Sequence, residues 1–277
     1  MSATGPDEII ATFDHPPVAE VVAAVRVAEL SDQTFMAVGE LWKSKFSEFP
    51  KFELQPPYDV PVEAFEAGVP RAPFSDLRLF TQPPLSRVWF TDASGQELIQ
   101  VQHDWFAVNW RKVEPDNEYG NWPARRAAFE GAYGKFAEWA EGNGDSITPT
   151  QCEVTYINHV LPIAGVWSTH ADSPGLFRGR PGDYDTPHPL EEIRWQARYL
   201  LNGEDGSPRG RLHVSAQPVF RASDATPMMI LELTARVVPS GPGLESALEA
   251  LDAGRAAIVR TFLSTTSDEA QKAWGLK

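Results

Sequence analysis

Apolar and polar residues alternate along several stretches of this chain, and a period of two predicts strands with one buried face. Over residues 16–30, Val21, Ala23, Val25 and Val27 share one face, while Glu20 and Arg26 share the other. Residues 99–112 read as a hairpin about a two-residue turn at Asp104 and Trp105, pairing Val101 with Val108 and Gln100 with Asn109. One face of that hairpin carries Ile99, Val101, Phe106, Val108 and Trp110; the other carries Gln100, Gln102, Asn109 and Arg111. Further strands are predicted over 74–82, 86–95 and 152–163, the last with Val154, Tyr156 and Val160 opposite Glu153, Thr155 and His159. In 193–201, Ile193, Trp195, Ala197, Tyr199 and Leu201 oppose Arg194, Gln196 and Arg198. In 211–219, Leu212, Val214 and Ala216 oppose Arg211, His213 and Ser215. In 228–238, Met229, Leu231, Leu233, Ala235 and Val237 oppose Glu232, Thr234 and Arg236.

Elsewhere the apolar spacing is helical. Ser31 caps a predicted helix over 31–49 with Phe35, Val38, Leu41, Trp42 and Phe46 on one stripe. A second covers 122–141 with Phe129, Ala132, Tyr133, Phe136 and Ala140, and the glycines after it end it. A third, over 244–263, aligns Leu244, Leu248, Leu251, Ile258 and Phe262. A short last helix starts from Thr266, with Glu269 completing a capping box, and Trp274 is expected to pack back onto the body. Residues 51–73 read as a long loop holding a short helix near 62–67, and residues 164–189 as a second loop rich in Gly, Pro and Asp.

Strands that alternate belong to an antiparallel sheet buried on one face, whereas a parallel sheet between helix layers reads as continuous apolar runs. The expected fold is therefore α+β: a large antiparallel sheet of about seven to nine strands with helices packed on one face. The order strand, helix, strands, helix appears roughly twice, over 1–146 and over a β-rich 147–277 with the long C-terminal helix, the second time with a loop where the early helix should be, in one continuous globular unit. That order resembles the TATA-binding-protein and helix-grip folds, and a fold does not fix a function.

Charge narrows the function. Lys and Arg number 24 against 38 Asp and Glu, and a net charge of −14 opposes attraction to nucleic acid or to an anionic membrane. A single cysteine, Cys152, excludes an intramolecular disulfide framework and a cysteine-rich zinc site, which fits a cytoplasmic protein. The first residues lack the pattern of a signal peptide, and no apolar run reaches the roughly 18 residues of a membrane span. Nine tryptophans make self-association an open expectation.

No phosphate loop, nucleophile elbow, kinase signature or paired-histidine metal helix is present. No cofactor and no metal are expected. His170 with Asp172, and Arg178 with Arg180, read as loop polarity; Cys152 and His159, seven apart, fall on opposite faces of a strand. What remains is the collective polar face. Its candidate binding residues are Gln100, Gln102, Asn109, Arg111, Glu153, His159, Arg194, Arg198, Arg211, His213 and Arg236, flanked by Glu20, Arg26, Thr155, Gln196, Ser215, Glu232 and Thr234. Guanidinium and carboxamide groups on rigid strands are directional donors for carboxylates, phosphates and peptide backbone.

The first expectation is a non-enzymatic recognition protein that presents this face to a peptide, a protein partner or a small anionic molecule. The alternative is an enzyme or ligand carrier with a cavity between the sheet and the C-terminal helix, with Glu153, His159 and His213 as acid or base groups. Nucleic-acid binding through the sheet comes third, behind the unfavourable charge.

Four motifs together, "PPVAEVV", "ELIQVQHDWFAVNWRK", "EVTYIN" and "TTSDEAQKAWG", resemble an uncharacterised bacterial family noted for its sporadic distribution, over nearly the whole chain. The resemblance implies an accessory bacterial system, such as defence or a biosynthetic cluster, and brings no catalytic residue with it.

Overall fold

Each stretch with a period of two becomes a strand wherever it falls within the described residues, and each pairs antiparallel with its neighbours. The computed structural model describes residues 11–65, 86–180, 182 and 184–277. In chain order they form β1 (Val18–Val27), α1 (Asp32–Met36), α2 (Val38–Lys45), β2 (Lys51–Gln55), β3 (Arg87–Thr91), β4 (Glu97–Gln102), β5 (Trp105–Arg111) and α3 (Trp122–Gly142). Then follow β6 (Pro149–Val160), a 3-10 helix (His170–Leu176), β7 (Trp195–Asn202), β8 (Pro208–Phe220), β9 (Pro227–Val237), α4 (Leu244–Thr265) and α5 (Asp268–Ala273). The nine described strands make one sheet in the order β2-β3-β4-β5-β1-β6-β9-β8-β7. The expected strand over 74–82 lies outside the described residues.

Alternation works because successive side chains of a strand point to opposite faces. Val21, Val25, Val101, Phe106, Val154, Leu212, Val214, Leu231 and Leu233 all point to one side and are buried there. α3 and α4 cover that side, α3 over β1 and β5, α4 over β6 and β9. Phe106 stacks on Phe136 at 4.7 Å between ring centres, with Phe129 and Tyr133 edge-on to it. Trp274 does pack back, against Phe262 and Phe13.

Several local expectations are corrected. The helix over 31–49 is two helices, α1 and α2, joined by a tight turn in which the Ala37 N–H donates to the Thr34 carbonyl at 3.0 Å. Phe35, Val38 and Leu41 are spaced strictly by three, and an α-helix rotates such a row off one face unless it tightens to an i to i+3 turn. The hairpin turn is at His103 and Asp104, one residue earlier than predicted, and Val101 faces Phe106 while Ile99 faces Val108. There the carbonyls of His103 and Asp104 receive the N–H groups of Leu30 and Val27, which fixes the turn. Moving the turn by one residue keeps the parity of both arms, so the faces stand as predicted.

Residues 51–55, expected in a loop, form edge strand β2, anchored by Phe52 against Trp42 and Phe90. The expected short helix near 62–67 is absent from its described part, since residues 56–65 run without regular structure. Ser267, not Thr266, caps α5 by accepting from the Ala270 N–H at 3.3 Å. The Thr266 hydroxyl instead donates to the Phe262 carbonyl at the end of α4 and accepts from Gln271. Within the second loop His170–Leu176 is a 3-10 helix, capped by Thr169 with Asp172.

Candidate functional site

The polar side of the sheet is one continuous surface in register. Across β6, β9 and β8, Glu153 stands opposite Arg236 and Arg236 opposite Arg211. The next row runs Thr155, Thr234, His213 and Arg198 across β6, β9, β8 and β7. The third brings Glu232, Ser215 and Gln196 together on β9, β8 and β7. Glu20, Arg26, Asn109, Arg111, Gln100 and Gln102 continue the same face over β1, β5 and β4.

The alternation predicts that face to be wholly or partly free, but over much of its width it is covered. The hairpin amides form a closed ladder. Arg87 and the Trp89 indole donate to Gln100 Oε1 at 3.0 Å each, Gln100 Nε2 donates to Asn109 Oδ1 at 2.8 Å, and Asn109 Nδ2 donates to Glu20 Oε1 at 2.6 Å. Burial pushes the Glu20 carboxyl up, and the hydrogen bond from Asn109 offsets only part of it. Arg111 donates to the Gly95 carbonyl at 3.1 Å and lies over the Trp89 ring.

Residues 58–65 then cross the sheet as an extended strap. Gln102, 2% exposed, clamps Tyr58 by accepting from its N–H at 2.7 Å and donating to its carbonyl at 2.9 Å. Gln151 repeats the clamp one strand group further on, donating to the Pro61 carbonyl and accepting from the Glu63 N–H. Between the clamps Val60 packs on Ala24, Trp105 and Ala107.

The strap delivers Glu63 onto the arginine row. Its carboxylate receives Arg211 Nη1 at 2.5 Å and the His213 ring at 2.6 Å, and Arg236 Nη1 stands 3.5 Å away. Arg211 also donates to the Ala64 carbonyl and lies 4.5 Å from the centre of the Phe65 ring. Arg236 Nε donates to Glu153 at 2.6 Å. Two arginines directly opposite on adjacent strands repel, and the two oxygens of Glu63 bridge them. Burial alone pushes the Glu63 carboxyl up; bonds from His213 and Arg211, with the field of Arg236, outweigh it and hold the group at about 2. Glu153 goes the other way: its burial raises it against the opposing pull of Arg236.

Beyond the strap the face opens into a polar cleft of about 550 Å3, where Gln196, Arg198, His213, Ser215, Glu232, Thr234 and Arg236 meet. Arg198 is exposed there. Arg194 stands apart, solvent-exposed and paired with Glu192 at 3.2 Å. His159 faces the same side but lies exposed, about 20 Å along β6 from Glu153. Glu153, His159 and His213 thus face away from α4, so the acid and base groups of a cavity beneath that helix are not these three. Cys152 points to the core, where burial pushes its thiol up to about 12. His170 sits 3.0 Å from the Val219 carbonyl, and Asp172 is used as a cap. Among the described residues no group of three or more His, Cys, Asp and Glu is placed to hold a metal, and no helix is long and apolar enough to cross a membrane.

Glu63 and Tyr58 escaped the sequence pattern because the strap has no period of its own, and Gln151 because β6 begins before the predicted start at 152. The signal was indirect: Arg198, Arg211, Arg236 and His213 at one end of the sheet face outnumber the carboxylates of Glu153 and Glu232 there. Compared with protein-family models, curated proteins and solved structures, the chain finds no match in any of the three.

Proposed function

We propose that this protein is a non-enzymatic recognition module that takes an extended acidic peptide of a protein partner into the cleft between β7, β8 and β9. The observation that carries the reading is the strap itself. A glutamate, the carbonyl after it and a phenylalanine ring are all gripped by Arg211, so the chain contains an example of the peptide chemistry this face holds. The adjoining cleft adds Arg198, Gln196 and Ser215, none of which the strap touches through a hydrogen bond given above, and offers them to a second acidic side chain. A chain of net charge −14 attracts acidic partners only at close range, which favours selectivity over speed of association.

Within the same proposal we take the two halves as a repeat of the TATA-binding-protein and helix-grip kind, because β1 pairs with β5 before α3 as β6 pairs with β9 before α4. We propose further that the module serves an accessory bacterial system, as the resemblance to the sporadic family suggests, and that it works in the cytoplasm, as its single cysteine suggests.

The test uses a fluorescein-labelled peptide repeating Glu-Ala-Phe, followed by anisotropy at low salt. Saturable binding is expected, weakened at least about tenfold by Arg198→Glu while the melting curve stays in place, because Arg198 is exposed. Absence of binding up to about 1 mM, or equal binding by the variant, overturns the reading.

A further inference from the structure

The opposite side of the sheet carries a second opening. A partly open cavity of about 480 Å3 lies between the sheet and α4, bordered by residues 11–13 and 16–18 and by the start of α3. Most of its wall is apolar: Phe13, Val18, Leu233, Ile258, Val259 and Phe262. Its polar lining includes Thr12, Asn121, Asn158, Tyr119, Tyr156 and Arg255. The Tyr119 and Tyr156 hydroxyls pair at 2.6 Å, and Arg255, on the facing turn of α4, hydrogen-bonds Tyr156.

From this arrangement we infer that the cavity binds a free medium-chain monocarboxylate, its tail against α4 and its carboxylate at the Tyr119, Tyr156 and Arg255 group. Two hydroxyls bring two protons, and their mutual hydrogen bond uses one, so one O–H is left to donate whichever way the pair is oriented. Arginine donates only, with five N–H groups in a planar fork, and a carboxylate, with two acceptor oxygens and a charge, can accept from both an O–H and a guanidinium. Arg255 and Arg125 are charged groups felt by both tyrosines, and both are positive. That field repels a cation and favours an anion over a neutral polar headgroup.

The walls are held in place without a ligand. Residues 12–15 are fastened to the end of the chain by bonds from Asp14 to Gly275, His15 to Trp274 and Lys277 to Thr12, and the His159 N–H holds the Pro17 carbonyl. Phe13 is set edge-on to Phe262 at 5.8 Å. A volume of this size, mostly apolar with a few convergent polar groups, is that of a small-molecule site. The inference is independent of peptide recognition on the other face, since no residue of the cavity lines the arginine cleft.

Isothermal titration of the full chain with decanoate, kept below its micelle-forming concentration, tests it, with decanol as the uncharged comparison. Decanoate is expected to bind saturably and at least about tenfold tighter than decanol. Arg255→Met should equalise the two, and Val259→Trp, which fills the cavity, should remove both; circular dichroism melting confirms that each variant folds. No saturable decanoate binding, no preference over decanol, or binding that survives Val259→Trp overturns the inference.

Discussion

Glu63 and His213 are 150 positions apart in sequence and 2.6 Å apart in space, and between them they tie the strap to the far side of the sheet. The same carboxylate neutralises Arg211, whose side chain is 7% exposed. Replacing it by an amide leaves that guanidinium buried without a counter-charge, facing a neutral amide oxygen, the Ala64 carbonyl and the Phe65 ring, while Arg236 keeps Glu153. Glu63→Gln is therefore expected to cost about 3 kcal/mol, the lower end for breaking a buried ion cluster. Urea unfolding measures it, and a midpoint unchanged from the parent would remove the cluster from any account of stability.

The same group sets an acid limb. The Glu63 carboxyl titrates at about 2 in the folded chain against an ordinary 4.5. A depressed folded value means stabilisation that is complete above pH 4.5 and is lost as pH falls from 4.5 toward 2. Glu20 and Glu153, both pushed up by burial, act oppositely and gain as they protonate. The clean quantity is thus a difference: the gap in stability between parent and Glu63→Gln should shrink steadily below pH 4.5. A gap that stays constant down to pH 2.5 would contradict the assignment.

What the sequence made legible followed from periodicity. Val21 and Glu20, Leu212 and Arg211, and Leu233 and Glu232 were sorted to their faces by a rule that survives a displaced turn, because a shift of one residue in the turn at His103 and Asp104 leaves both arms in phase. Thr266 and Ser267 show the limit. Adjacent hydroxyls each precede acidic residues, and only the packing of Gln271 onto Thr266 decides which one caps α5. The strap lay outside the rule altogether, since residues 58–65 are held by carboxamides and a carboxylate, and such contacts have no period. Alternation could therefore say that Gln102, Arg211 and Arg236 face outward from the helices, but not that the chain itself lies over them.

The strap's near end depends on one side chain. Gln102 satisfies both the N–H and the carbonyl of Tyr58, and Leu at that position keeps the bulk while removing both partners. Two backbone groups under partial burial then lose their bonds, an expected cost of about 2 kcal/mol in Gln102→Leu. Hydrogen exchange reads the local effect: the Tyr58 amide should exchange at least about tenfold faster, with core amides of β5 less affected. Unchanged protection at Tyr58 would mean that Val60 and Gln151 hold the strap without this clamp.

Arg211 and Arg236 can share Glu63 only because β8 lies close against β9 just beside them. Gly210 faces Val237 in the register, and a Cβ there would stand 2.4 Å from the Arg236 carbonyl oxygen and 3.1 Å from Val237 Cα. Both atoms are backbone, so β8 and β9 must move apart at this point, which carries Arg211 away from Glu63. Gly210→Ala should destabilise by about 1–3 kcal/mol through this overpacking. Gly131, on the exposed side of α3, has open space around its Cβ position, and Gly131→Ala should stabilise by up to about 1 kcal/mol through helix propensity. The same chemical change is thus expected to have opposite signs at two sites, and matched urea curves decide it: should both variants shift in one direction, close strand approach at Gly210 is not what seats the arginine pair.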